Sequence, residues 1–151
     1  MVCYTNKNNV PFQIDEEDFD LVKQNIWHLT NGYVVTSKGR KEFRLHRLIM
    51  HTPDGMQTDH INGDILDNRK ENLRVCTQNQ NLYNQKKRAN KSSKYKGVYL
   101  HKLANKWMAY IDKDRKRTYL GLFVEEWEAA SAYNAKAIEI YGEYARLNVL
   151  A

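Results

Sequence analysis

Residues 58–81 of the chain read TDHINGDILDNRKENLRVCTQNQN, and the fold we predict is built outward from this stretch. Two β-strands are predicted, one in MQTDHI and one in the alternating run LRVCT. The polar loop between them turns at Asn62-Gly63. Thr77 followed by Gln80 is a capping-box signature, which predicts a helix in QNQNLYNQKKR. The stretch therefore predicts a small strand–loop–strand–helix unit with little apolar core of its own.

Polar side chains recur along this unit. Asp59 offers a carboxylate and Asn81 an amide oxygen, and a hard cation such as Mg²⁺ prefers oxygen ligands of this kind. Phosphodiester cleavage needs a base to deprotonate water and a cation to neutralise charge on the departing oxygen, and His60 is the candidate base. In an ideal strand His60 points away from the face of Asp59, so the two can approach one phosphate only if the strand is distorted or ends there. Asn and Asp also suit turns without any chemical role.

The chain ahead of this unit predicts three further elements. After an irregular start, Asp15 can cap a short helix in EEDFDLVK. A β-hairpin is strongly indicated by Asn31-Gly32, which lies between IWHLT and YVVTS. A short amphipathic helix is predicted in RLHRLIMH, ahead of the turn TPDG.

Positive charge is concentrated in the middle of the 151-residue chain. The net charge is +6, but residues 86–117 alone carry 12 Lys/Arg against 2 Asp/Glu, interleaved with tyrosine and tryptophan. Such a block fits a polyanion-binding surface, with a phosphate backbone as the partner. An anionic membrane fits less well, because no amphipathic apolar face accompanies the charge.

The remaining sequence predicts a second domain. Residues 86–94 have the Lys/Asn/Ser-rich composition of an exposed linker. Three strands with one apolar face are predicted in YKGVYLHK, KWMAYID and RTYLGLF. A helix that covers this face is predicted in EEWEAASAYNAKAIEIYG. We therefore predict an α+β fold with one domain at residues 1–85, a basic linker at 86–94, and a three-stranded antiparallel sheet packed on one helix at 95–151.

Composition restricts the setting of the protein. No apolar run approaches the roughly 18 residues that a membrane span requires, and the N-terminus lacks the layout of a secretory signal. Cys3 and Cys76 cannot form a disulfide framework or a four-thiolate zinc site. We expect a reducing, cytoplasmic setting and no membrane partner.

A set of spaced residues spans the first domain. It consists of His46-Arg47-Leu48, Asp59-His60-Ile61-Asn62-Gly63-Asp64, Asp67-Asn68-Arg69, Asn72-Leu73-Arg74, and Thr77 through Asn81. Together, within residues 45–84, these residues resemble the core of an HNH endonuclease of the ββα-metal type, in particular the homing-type proteins of phages and mobile elements. The resemblance implies one metal site with Asp59 and Asn81 as ligands, His60 as general base, and Asn72 bracing the loop that holds the imidazole. Asn81 at the third family position implies Mg²⁺ or Mn²⁺, and no structural zinc is expected because the zinc-binding cysteine pairs of some relatives are missing.

The C-terminal segment shows a second resemblance. Its framework residues include Tyr95-Lys96-Gly97-Val98, Lys106-Trp107, Leu120-Gly121, Ala129-Ala130 and Tyr141-Gly142. They resemble the Apetala-type, ethylene-response-factor DNA-binding domain, which lays a three-stranded sheet in the major groove of double-stranded DNA. The contacts implied are Lys96, Tyr99, His101, Lys106, Tyr110, Arg117 and Tyr119, and the basic linker adds Lys86, Lys87 and Arg88. The DNA sequence preferred by the plant family does not carry over, because several of its arginines are replaced here.

The leading interpretation is a site-preferring, metal-dependent DNA endonuclease, encoded by a phage or mobile element and acting in a host cell. One base and one metal site, with no heptad seam for a dimer, predict a monomer that nicks one strand. Two alternatives stay open. One is a DNA-binding regulator with a catalytically silent core, and the other is an RNA-binding protein that uses the aromatic sheet as a stacking platform.

Overall fold

Short antiparallel sheets alternate with helices along the chain, as the α+β prediction requires. The computed structural model describes residues 1–87 and 92–150. The chain divides into two compact units, an N-terminal unit of Met1–Asn81 and a C-terminal unit of Leu82–Ala151. Among the described residues, no helix has both the length and the apolar character needed to cross a membrane.

The N-terminal unit begins with a strand pair, and the predicted irregular start is wrong. β1 (Val2–Tyr4) pairs antiparallel with β2 (Pro11–Gln13), and Cys3 lies opposite Phe12. Both of these side chains are buried, whereas their neighbours on the strands are exposed. The alternation is present in the sequence, but runs of three residues are too short to distinguish a strand from a loop.

The helix predicted after Asp15 also differs from the structure. A 3₁₀ turn at Glu16–Asp18 leads into α1 (Phe19–Lys23), and no side-chain hydrogen bond from Asp15 caps the turn. Asp15 Oδ2 instead accepts the backbone N–H of Lys70 at 2.7 Å. This carboxylate therefore ties the N-terminal segment to the polar loop of the motif.

Asn31 and Gly32 form the turn of the predicted hairpin. β3 (His28–Thr30) pairs antiparallel with β4 (Tyr33–Lys38). The φ angles of Asn31 and Gly32 are +51° and +83°, the left-handed conformation that a type I′ turn requires. The hairpin prediction is confirmed.

A third strand and a short helix complete this part of the N-terminal unit. β5 (Lys41–Arg44) pairs with β4, and the sequence did not predict it because KEFR lacks an alternating apolar pattern. α2 (Leu45–Ile49) follows at once, as predicted, and buries its first and last residues in the core. The buried core cluster consists of Cys3, Phe12, Ile14, Val22, Trp27, Val34, Leu45, Ile49 and Leu73.

The motif folds as the predicted strand–loop–strand–helix unit. β6 (Gln57–His60) pairs antiparallel with β7 (Leu73–Cys76), and α3 (Gln78–Asn84) follows. The capping box is present, since Thr77 N–H donates to Gln80 Oε1 at 2.8 Å and Gln80 N–H donates to Thr77 Oγ1 at 3.3 Å. Leu73 on β7 packs in the core cluster, so the motif is stabilised by apolar side chains from the rest of the N-terminal unit.

The C-terminal unit contains the predicted sheet and helix. β8 (Val98–His101), β9 (Lys106–Lys113) and β10 (Lys116–Phe123) form an antiparallel sheet in the order β10-β9-β8. α4 (Glu126–Tyr141) covers one face of it, and its buried positions include three alanines, whose small side chains let helix and sheet approach closely. The helix begins with a capping box between Glu125 and Glu128.

One glycine allows this close approach. Gly97, just ahead of β8, has a φ of +76°, and its carbonyl accepts the backbone N–H of Tyr110 at 2.8 Å. A Cβ at this position would lie 2.1 Å from the ring of Tyr133 on α4 and 2.6 Å from the carbonyl oxygen of Tyr110. Both the backbone angle and the space therefore require glycine here.

Candidate active site and nucleic-acid interface

The register of β6 and β7 places Asp59 directly opposite Arg74. Arg74 donates to Asp59 Oδ2 from Nη2 at 2.7 Å and from Nε at 3.0 Å, and both side chains are largely buried. A buried carboxylate is costly unless it is paired, and this guanidinium supplies the opposite charge. The sequence did not predict this role for Arg74, because a cross-strand pair is visible only when the register is known.

β6 ends at His60. A strand end at this position is one of the two conditions under which His60 and Asp59 were expected to approach the same phosphate. Both residues are buried. His60 Nε2 lies 3.3 Å from Asn68 Oδ1, and the Asn68 amide is oriented by its Nδ2, which donates to the carbonyl of Leu66 at 3.2 Å. Because Oδ1 can only accept, Nε2 carries the proton, and Nδ1 is the basic nitrogen of the neutral ring. Asn68 was part of the recognised motif, but the sequence gave it no role.

Two aromatic rings surround the candidate base. The ring of His46 lies edge-on to His60 with centroids 4.9 Å apart, and the ring of Tyr33 lies 6.3 Å away. Burial lowers the pKa of His60 below its ordinary value, and the hydrogen bond to Asn68 and the charge of Asp59 partly offset this effect. Burial, followed by the charges of His60 and two nearby arginines, lowers the pKa of His46 to about 3. Both imidazoles are therefore neutral near pH 7.

Asn72 spans the loop between β6 and β7. Its Oδ1 accepts the backbone N–H of Asn62 at 2.9 Å, and its Nδ2 donates to the carbonyl of Asp67 at 2.8 Å. Arg69 holds the Asp67 carboxylate through Nε and Nη2 and lowers the pKa of that carboxyl. These bonds fix the loop that carries Asn68. Asn72 therefore supports the imidazole of His60 indirectly, by holding this loop in place.

The two predicted metal ligands lie on the same side of β6. Gln57 and Asp59 are two residues apart, so their side chains share a face of the strand, and Asn81 Nδ2 on α3 donates to Gln57 Oε1. A carboxylate and an amide oxygen are hard donors that fit Mg²⁺ or Mn²⁺. Within residues 1–87 and 92–150, no three His, Cys, Asp or Glu side chains converge to hold a metal.

In the register of the C-terminal sheet, most of the residues predicted to contact DNA lie on one face. Tyr99 pairs with Met108 across β8 and β9, and Tyr110 pairs with Tyr119 across β9 and β10. Alternate residues of a strand share a face, and Val98 on β8 and Ala109 and Ile111 on β9 lie in the buried clusters formed with α4. The face opposite the helix carries Tyr99, His101, Lys106, Tyr110, Arg117 and Tyr119.

Three tyrosines form a row across this face. We call Tyr99, Tyr110 and Tyr119 the tyrosine row; successive ring centroids are 6.3 and 5.3 Å apart. The guanidinium of Arg117 lies 5.6 Å from the Tyr110 centroid and forms two 2.8 Å bonds with Asp112. The face is therefore strongly aromatic, and the positive charge of Arg117 is already paired with Asp112.

The lysines at the start of the C-terminal unit have contacts that the sequence did not predict. Lys86 is exposed, and Arg88 lies outside the described residues. The ammonium groups of Lys87 and Lys96 instead donate to backbone carbonyls. The acceptors are Ser93, Tyr95 and Val98 for Lys87, and Tyr83 and Gln85 for Lys96. These two lysines therefore help to hold the C-terminal unit together.

The strand–loop–strand–helix unit sets the buried His60 next to Asp59 at the end of β6. A family model described as HNH endonuclease matches residues 44–83, which run from the last residue of β5 almost to the end of α3. A protein of Acanthamoeba polyphaga mimivirus, described as an uncharacterized HNH endonuclease, is 30% identical over 139 residues, which is 87% of this chain and 71% of the viral protein. The chain belongs to the HNH endonuclease family. No solved structure matches it.

Proposed function

We propose that this protein is a metal-dependent DNA endonuclease that hydrolyses one phosphodiester per binding event. Membership of the HNH endonuclease family supports nuclease activity on DNA. The observation that carries the assignment to this site is the state of His60. Its imidazole is buried, neutral near pH 7, and hydrogen-bonded through Nε2 to Asn68, which leaves Nδ1 as the basic nitrogen.

In this proposal His60 Nδ1 takes a proton from water, whose oxygen forms the new bond to phosphorus while one phosphorus–oxygen ester bond breaks. Asn68 and Asn72 are positioning residues that hold the ring and its loop. Asp59 and Asn81 would hold Mg²⁺ or Mn²⁺. When bound, the metal neutralises charge on the phosphate and on the departing oxygen.

We further propose that the C-terminal unit binds double-stranded DNA through the face that carries the tyrosine row. The sheet-on-helix arrangement and its framework residues support the resemblance to the ethylene-response-factor type of domain. The division of labour is a cutting domain at residues 1–85, a basic linker at 86–94 and a DNA-binding domain at 95–151. The proposal includes a monomeric, homing-type enzyme of phage or mobile-element origin, and the viral relative supports such an origin.

The test compares His60→Ala with His28→Ala, since His28 lies on β3 and contacts Glu42 at the surface. His60→Ala should lower the rate of plasmid cleavage by about 10²- to 10⁴-fold, because a general base is lost. DNA binding should be nearly unchanged. His28→Ala should cleave at the wild-type rate, and EDTA should abolish cleavage by every variant. If His60→Ala cleaves plasmid at the wild-type rate, the assignment of His60 as the general base is wrong.

One observation favours a second candidate, a DNA-binding regulator with a silent nuclease core. The Asp59 carboxylate is already paired with Arg74, so a metal would have to share it with the guanidinium. The same assay separates the two functions. A wild-type protein that binds DNA but cuts no plasmid with Mg²⁺ or Mn²⁺ would be a regulator.

A further inference from the structure

A cationic cavity lies in the C-terminal unit, apart from the face of the sheet. It has a volume of about 260 Å³ and is bounded by the start of this unit and by the segment that follows α4. The lining residues are Lys86, Lys87, Lys94, Tyr95, Lys96, Arg146, Leu147, Asn148 and Val149. Five of them are cationic and none is acidic, so we call this site the basic cavity.

The walls of the basic cavity are fixed by hydrogen bonds. Asn148 Oδ1 accepts the backbone N–H of Lys96 at 2.6 Å, and Asn148 Nδ2 donates to the Lys96 carbonyl at 3.0 Å. The backbone of Asn148 is bonded in turn to the side chain of Asn134 on α4. The ammonium groups of Lys87 and Lys96 add bonds to backbone carbonyls at the start of the unit. The cavity is therefore formed before any ligand arrives, which lowers the entropic cost of binding.

The charges around the basic cavity lie close enough to repel one another. Burial, together with the charge of Arg146, lowers the pKa of Lys96 to about 8. The positive charge of Arg146 thus disfavours the charged form of Lys96. An anion in the cavity would reverse this effect, because it would be attracted to both groups.

The basic cavity adjoins the proposed DNA-binding face through one residue. Lys87 lines the cavity, and its Nζ also lies 5.7 Å from the ring centroid of Tyr99, the member of the tyrosine row on edge strand β8. A nucleic acid lying on the tyrosine row would therefore pass beside the cavity at the β8 edge. Its phosphate groups are the anions nearest to this position.

We propose that the basic cavity binds a backbone phosphodiester of the nucleic acid that lies on the tyrosine row, with Arg146 and Lys94 as the added cationic contacts. The inference rests on the proposed DNA binding by the C-terminal unit, but it does not depend on cleavage. It names a contact outside the sheet face, where phosphate recognition would set the position of the strand without reading its sequence.

The test measures the affinity of the full-length protein for a fluorescein-labelled duplex of mixed sequence, in EDTA, over a range of salt concentrations. Arg146→Gln should weaken binding about tenfold at low salt, because one charge-assisted contact is lost. The slope of log affinity against log salt is negative, and it should become less steep by about 0.9, the value for one phosphate contact. Lys94→Gln should change the slope in the same direction. Lys94 is exposed, so we expect this substitution to leave the fold intact.

The matched control is Lys136→Gln, which removes one positive charge from α4, where Lys136 pairs with Glu139 away from the cavity. It should leave the salt slope at the wild-type value. If Arg146→Gln and Lys94→Gln also keep the wild-type slope, the cavity makes no phosphate contact and the inference is overturned. If inorganic phosphate raises the melting temperature of the wild type but not of Arg146→Gln, while both DNA slopes stay equal, the cavity holds a free anion and the inference is again overturned. A wild-type protein that binds no DNA at all would instead overturn the proposed function.

Discussion

The amide of Asn68 decides which nitrogen of the candidate base can accept a proton. Its orientation is set by the Leu66 carbonyl, and it then requires the proton of His60 to lie on Nε2. The sequence contained Asn68 in its motif, yet it assigned the support of the ring to Asn72. Spacing identifies which residues belong to a site, but the contacts between them depend on the path of the loop, which only the folded chain shows.

His46 makes the N-terminal unit sensitive to acid. Its pKa is about 3 in the folded chain against an ordinary value of 6.5. Between these values the unfolded chain binds a proton that the folded chain does not, so this contribution to stability is complete above pH 6.5 and falls as the pH drops toward 3. The free energy of unfolding should decrease by a few kcal/mol over this range, at about 1.4 kcal/mol per pH unit.

Urea unfolding at a series of pH values measures this loss. His46→Phe keeps a ring of similar size and has no group to titrate, so its stability should fall less over the same range. The carboxyl groups titrate in both proteins and cancel in the comparison, whereas His60, which contacts His46, contributes to the difference. An equal pH dependence of the two proteins would remove His46 as the cause.

Among the elements, those with strong local sequence signals were predicted, whereas the short strands β1, β2 and β5 were not. The Asn31-Gly32 turn and the Thr77–Gln80 capping box act within a few residues, so the sequence alone reveals them. β1 and β2 are three residues each and exist because Cys3 and Phe12 face a core supplied by distant parts of the chain. The pairing of Asp59 with Arg74 likewise depends on register, which the sequence leaves open.

At the junction of β8 with α4, Gly97→Ala should destabilise the C-terminal unit by about 3 kcal/mol or more, because the new methyl group would overlap the Tyr133 ring at a strained backbone angle. Gly142→Ala is the matched control, since Gly142 also has a positive φ but nothing lies within 4 Å of its Cβ position. The control should cost only about 1 to 3 kcal/mol, the strain of its unusual backbone angles alone. Chemical denaturation followed by circular dichroism gives both values. Equal losses would show that the contact with Tyr133 is unimportant.

For the whole molecule, one candidate base and one candidate metal site predict the order of the products. The two strands of a duplex run in opposite directions, so a single site can address one scissile phosphate in each bound orientation. Supercoiled plasmid should therefore be converted first to nicked circles, with linear DNA appearing late or at high enzyme excess. A gel time course measures this order, with His60→Ala as the background. Linear DNA at the earliest times, without a nicked precursor, would require two sites acting together.

The pairing of Asp59 with Arg74 has a consequence for how the protein can be handled and stored. A carboxylate site that lacks a counter-charge folds poorly until its metal arrives, but here the guanidinium already balances the charge. Under the proposed function, we therefore expect that the chain can be kept in a chelating buffer as a folded, inactive reagent, and that adding Mg²⁺ or Mn²⁺ starts cleavage.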